Sequence, residues 1–145
     1  MKKILVGVDH SPRTAEVLAA AVELASRTGA KLILFRAVTI PSDPMPEAVD
    51  SDESFGTLLE RRALAEVVES AKAVPSELVL GCEAEFGVPW EVICKKAKQH
   101  DVDCIVIGSQ GHGVVDRLLG TTAAKVVNHA DRSVMVIRDA RRFAA

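Results

Sequence analysis

Four short runs of nearly continuous apolar residues mark the chain, at 3–8 (KILVGV), 31–38 (KLILFRAV), 103–107 (DCIVI) and 133–137 (SVMVI). Their hydrophobicity does not alternate, so each predicts a strand covered on both faces. A weaker strand is expected over 77–85 (ELVLGCEAE). Between these runs the spacing changes. Val17, Leu18, Ala21, Val22, Leu24 and Ala25 recur with helical period, as do Leu58, Leu59, Ala63, Val67 and Ala71, and each set lays an apolar stripe on one helix face. Gly29 stands where the first helix should stop, Pro89 suits the first turn of a third helix, and a fourth should begin near Thr121 after Gly120.

The predicted order is β-α-β-α-β-α-β-α-β. Strands that alternate with helices imply right-handed crossovers and a sheet covered on both sides, an α/β doubly wound fold. The stretch 39–54 (TIPSDPMPEAVDSDES) carries three prolines and five acidic residues without periodicity. It predicts one long loop, either a lid over a strand end or a plain connection. No internal repeat or second core is evident, so residues 1–145 are expected to form one domain.

Composition narrows the function classes. Hydrophobic residues make up 48% and charged ones 26%, with no apolar run long enough to span a bilayer, so neither a membrane protein nor a disordered chain is expected. Eighteen basic against twenty acidic side chains give a formal charge of -2, without the basic excess of a general nucleic-acid binder. The opening MKKILVGVDHS predicts a strand and not a signal peptide, because Asp9 follows the apolar run at once. Cys82, Cys94 and Cys104 are odd in number and form no C-x-x-C pair, which fits reduced thiols and a cytoplasmic protein.

In an open α/β sheet, ligands settle beyond the carboxyl ends of strands where the winding reverses. Val8-Asp9-His10-Ser11 should arrive there after the first strand, Ala37-Val38 at the end of the second, and Ile107-Gly108-Ser109-Gln110-Gly111-His112-Gly113 after the fourth. Glycines let backbone N–H groups approach a phosphate, and the helix starting at Gly120-Thr121-Thr122 adds partial positive charge. Thr121 has two compatible readings, a hydroxyl on the ligand and an N-cap. Asp9 likewise meets a ligand or closes the start of the first helix with Ser11. His112 faces a phosphate or is an ordinary loop histidine. No G-x-x-x-x-G-K-[ST] occurs, and no G-x-G-x-x-G follows the first strand, so neither a Walker nucleotidase nor a Rossmann dehydrogenase is indicated.

These pieces, in order, are V-D9-H-S11, Gly87-Val88-Pro89, D-C-I-V-I-G108-S-Q-G111-H-G, G120-T121-T and the closing S-V-M-V-I-R. Over nearly the whole chain they resemble the universal stress protein family. The resemblance implies a single doubly wound five-stranded parallel sheet, strand order 3-2-1-4-5, with helices on both faces. It implies an adenine nucleotide (ATP, ADP or AMP) as ligand, in a stress-response or signalling module with at most slow hydrolysis. By the same likeness Asp9, beside Val8 and Ser11, meets the adenine and its surroundings, and the backbone of Ala37 and Val38 meets the adenine edge. Ile107 packs beside base or sugar, and Gly108, Gly111, Gly120, Thr121 and Thr122 serve ribose and phosphates.

The ATP-binding branch places nine residues between its second and third motif glycines, whereas eight separate Gly111 from Gly120 here. That difference keeps open a second expectation, a stress protein of the same fold that binds no nucleotide and acts as a dimeric interaction module. A homodimer through the last strand is implied in either case, with a signalling partner of unknown identity. Any Mg²⁺ would be held mainly by phosphates and water. His10, His100, His112 and His129 show no metal-ligand spacing. An adenylate-forming enzyme is not supported, since G-V-D-H-S lacks the glycine pair of an S-G-G-x-D-S loop. Trp90 is expected to pack its helix against the sheet.

Overall fold

In a computed structural model, residues 1–39, 55–109 and 119–138 are described. The predicted elements form nearly where the pattern places them: β1 Lys3–Gly7, α1 Thr14–Thr28, β2 Lys31–Val38, α2 Phe55–Ala71, β3 Val79–Phe86, α3 Pro89–Gln99, β4 Cys104–Gly108, α4 Thr121–His129 and β5 Ser133–Ile137. One boundary moves. The third strand was expected from residue 77, but Ser76–Leu78 coil into a single 3-10 turn after Pro75, and pairing with β2 starts only at Val79.

All pairings are parallel and the sheet runs β3-β2-β1-β4-β5. Alternation along the strands splits the core between the two faces. Ile4, Val6, Leu32, Leu34 and Val106 meet Val17, Leu18, Ala21 and Ala25 of α1 and Val67 of α2 on one face. Leu5, Ile33, Phe35, Ile105 and Ile107 meet Val92, Ile93 and Ala97 of α3 and Ala123 and Val126 of α4 on the other. The continuous apolar runs are thereby explained: consecutive strand residues enter opposite cores.

Gly29 ends α1 at φ 79°, and its N–H donates to the Ala25 carbonyl at 2.8 Å. Only glycine takes that left-handed conformation without a Cβ penalty, which is why the helix stops there. Trp90 is partly buried against the second core and stacks on His129, with ring centroids 4.4 Å apart, while Lys125 Nζ lies 5.8 Å from its ring centre. Its role exceeds the packing of α3 on the sheet, because the stack also ties α3 to α4. Among the described residues no helix is long and apolar enough to cross a membrane.

Candidate functional site

The order of winding reverses at β1, which has β2 on one side and β4 on the other. Beyond the carboxyl ends of these strands lies a cleft of about 470 Å³, within the range of small-ligand pockets. Val8, Asp9 and His10 enter it after β1, Arg36 and Ala37 from β2, Ile107 to Ser109 from β4, and Gly120 to Ala123 from the start of α4.

The α4 side is fixed by backbone bonds. Ser109 N–H donates to the Ile137 carbonyl at 2.9 Å, and Gly120 N–H donates to the Ser109 carbonyl at 2.7 Å. Ser109 and Gly120 are therefore held side by side. Gly120, with extended φ -60° and ψ 163°, is the N-cap of α4, and its carbonyl accepts from Ala124 N–H at 2.9 Å. The capping role considered for Thr121 thus falls to Gly120, and Thr121 becomes the first helical residue. The Gly120 amide is itself committed to Ser109. First-turn N–H groups of Thr121, Thr122 and Ala123 have no acceptor within the helix and are the donors available there. Their partial positive charge suits an anion.

Gly108 owes its lack of a side chain to packing. A Cβ built on it would lie 3.3 Å from Val17 Cγ2. Expected from the sequence to let backbone amides approach a phosphate, Gly108 also lets α1 close on β4.

Opposite α4, Asp9 Oδ1 accepts from Ser11 N–H at 2.8 Å, and the Thr14 hydroxyl lies 2.7 Å from the Asp9 carbonyl and 3.1 Å from Oδ1. This Asx-type turn gives Asp9 a structural role at the entry to α1 while leaving it on the cleft wall. Beside it, Arg36 contacts Glu66 of α2, and Glu66 Oε2 lies 2.5 Å from His10 Nε2. Burial lowers the Arg36 pKa, and the Asp9 carboxylate pulls it the other way.

Of the residues singled out by the sequence, Val8, Asp9, Ala37, Ile107, Gly108, Gly120, Thr121 and Thr122 line this cleft. Ser11 and Val38 do not. Ser11 is buried behind the Asp9 turn, and the Val38 carbonyl is taken by Gly87 N–H at 2.9 Å. Gly111 and His112 lie outside the described residues, as does most of the expected long loop. Arg36 and Phe35 also line the cleft without having been named for it, and His10 and Ser109 do so within segments expected to arrive there. Arg36 had a visible signal: it is a charge inside the apolar run KLILFRAV, near the end that reaches the ligand edge. Burial pushes the Cys82, Cys94 and Cys104 thiols up, which makes each a poor thiolate nucleophile at neutral pH.

Residues 1–138 match the universal stress protein family. The chain is 30% identical over 143 residues to universal stress protein A homolog 1 of Coxiella burnetii, covering 94% of this chain and 95% of that one. Among solved structures it is similar to the universal stress protein UspA of Lactobacillus plantarum, with TM-score 0.73, 32% identity and coverage of 94% and 97%. It also shares its fold with a universal stress protein solved in complex with cAMP, at TM-score 0.69, 22% identity and coverage of 94% and 96%.

Proposed function

The chain belongs to the universal stress protein family, and from its cleft we propose that it binds an adenine nucleotide as a stress-response or signalling module. One observation carries this reading: a single cleft brings Asp9, the β2 end at Ala37 and the first-turn amides of α4 together. Asp9 suits ribose or base, Ala37 the base edge, and Thr121 to Ala123 a phosphate. The solved relative holding cAMP supports the same ligand class. Hydrolysis is expected to be slow at most, since the sequence has no Walker lysine. Any Mg²⁺ would travel with the phosphates; among the described residues no group of three or more His, Cys, Asp or Glu is placed to hold a metal.

Thermal unfolding with ATP, ADP, AMP and cAMP tests the proposal. A ligand at a hundred times its Kd adds about 2.7 kcal/mol, and replacing Thr122 by Glu should abolish that gain by setting a carboxylate against the phosphate. No stabilisation by any of the four would refute it. The eight-residue spacing between Gly111 and Gly120 favours the second reading, an interaction module without nucleotide. Either function is served by a homodimer through β5, an edge strand on which Met135 is 39% exposed. Sedimentation of the wild type and Met135→Lys should show a dimer and a monomer respectively.

A further inference from the structure

The register of β1 with β2 ends at Gly7 opposite Phe35, and one more bond, from Val8 N–H to the Phe35 carbonyl at 2.9 Å, closes the pairing. β2 runs on to Val38 beside β3. The loop bearing Asp9 and His10 therefore leaves the sheet and needs another tether to the end of β2. Glu66 supplies it from α2. A single carboxylate oxygen, Oε2, meets both His10 Nε2 and Arg36 Nη1, so three separate elements converge on one atom.

We infer that Glu66 is a positioning residue for the cleft, holding His10 and Arg36, and with them the Asp9 loop, in the arrangement that receives an anionic nucleotide. This rests on the nucleotide reading of the cleft. Glu66 itself is not part of the lining, whereas His10 and Arg36 are. It acts through them.

The arrangement has an electrostatic consequence. The charged groups facing His10 are Asp9 on its own loop, Arg36 from β2 and Glu66 from α2. With the imidazole neutral, Glu66 and Arg36 balance each other. With it protonated, two cations share one carboxylate and the rim gains a positive charge. Burial and Arg36 lower the His10 pKa from 6.5, with Asp9 opposing, so this change falls below pH 6.5. Side-chain exposures of 57% for His10 and 42% for Glu66 mean that solvent and salt screen the effect.

Calorimetric titration of the full chain with cyclic AMP separates tether from charge, with ATP as the probe if the wild type takes no cyclic AMP. In 1 M salt, where the long-range charge effect is screened, Glu66→Ala should weaken binding about two- to fivefold, the loss of a partly exposed tether. Glu66→Gln should retain part of the affinity, because its amide oxygen still accepts from Arg36. In low salt, wild-type affinity should rise as the pH falls below 6.5, and His10→Gln should remove that rise. Comparing wild type with His10→Gln cancels the titration of the ligand's own phosphate. Circular dichroism and urea midpoints verify that each variant is folded. Wild-type affinity in Glu66→Ala, or a pH profile unchanged in His10→Gln, would overturn the inference alone. A wild type that binds neither probe, nor ADP or AMP, would overturn the nucleotide reading and the inference together.

Discussion

Replacing Gly108 by Ala asks whether that glycine is there for the ligand or for α1. The added methyl would stand 3.3 Å from Val17 Cγ2. Val17 is 4% exposed and packed in the first core, and a β-branched side chain in a helix has essentially one rotamer, so it cannot turn aside. Overpacking of this kind costs about 1–3 kcal/mol, offset by about 0.5–1 kcal/mol because Ala loses less backbone entropy than Gly. A net loss of about 0–2.5 kcal/mol follows from those two terms, so the coupling to Val17 is the sharper readout. Val17→Ala removes the obstructing methyls and should cost about 1.5–3 kcal/mol by itself. The two changes relieve each other. In the double variant the losses should fall short of their sum by about 1 kcal/mol or more, as for residues in contact. Urea unfolding of all four proteins, with m values compared to confirm two-state behaviour, gives the cycle. Strictly additive losses would refute the packing account. Nucleotide affinity in the double variant then reports what Gly108 does for the cleft alone.

Gly29→Ala should cost about 1–2 kcal/mol, because at φ 79° no neighbour lies within 4 Å of the new methyl and the penalty is conformational alone; thermal melts will show it, with Gly29→Asn losing less. Asp103 accepts backbone N–H bonds from Lys2 at 2.6 Å and Lys3 at 3.0 Å, and these hold its carboxyl below its ordinary 3.8. Its contribution to stability is present above that value and lost as pH falls through the lower folded one, so Asp103→Asn should flatten the acid limb of the stability profile. Trp90 is the only tryptophan and adjoins Pro89 of the cleft. Its fluorescence should therefore change on saturation with nucleotide, and His129→Ala, which removes the stack, should alter the free-state spectrum; an unaltered spectrum would contradict the α3 to α4 contact.

Most of the fold was legible because buried parallel strands and amphipathic helices leave different periods in the sequence. Val17 to Ala25 and the run KLILFRAV each declare their element, and Gly29 and Pro89 declare ends through backbone constraints of their own. The start of β3 was misplaced, since nothing local distinguishes a 3-10 turn at Ser76–Leu78 from the first residues of a polar edge strand. In the site, residues that follow strands in the chain were found by position alone. Position alone did not settle two kinds of residue. Ser11 and Val38 sit beside lining residues but turn away, a matter of side-chain direction and of which carbonyl is already bonded. Glu66 escaped for the opposite reason: it is thirty residues from Arg36, one acid among several on α2, and only the packing of that helix brings it to the rim.

The donor assignment also changed in kind. Glycine spacing pointed to amides at Gly108, Gly111 and Gly120, whereas the Gly120 amide is occupied by Ser109 and the helix offers those of Thr121 to Ala123 instead. The proposal that the cleft attracts a phosphate does not depend on that exchange, because it rests on first-turn donors without an acceptor inside the helix and on the helix dipole, and not on any single glycine.

A ¹⁵N-resolved titration of backbone amides with adenine nucleotide addresses that proposal most directly. The account predicts saturable shifts concentrated at Val8 to His10, Arg36 and Ala37, and Thr121 to Ala123, with the groove between Val68 and Val79 silent. Shifts centred on that groove, or an unperturbed α4 terminus at saturation, would contradict it.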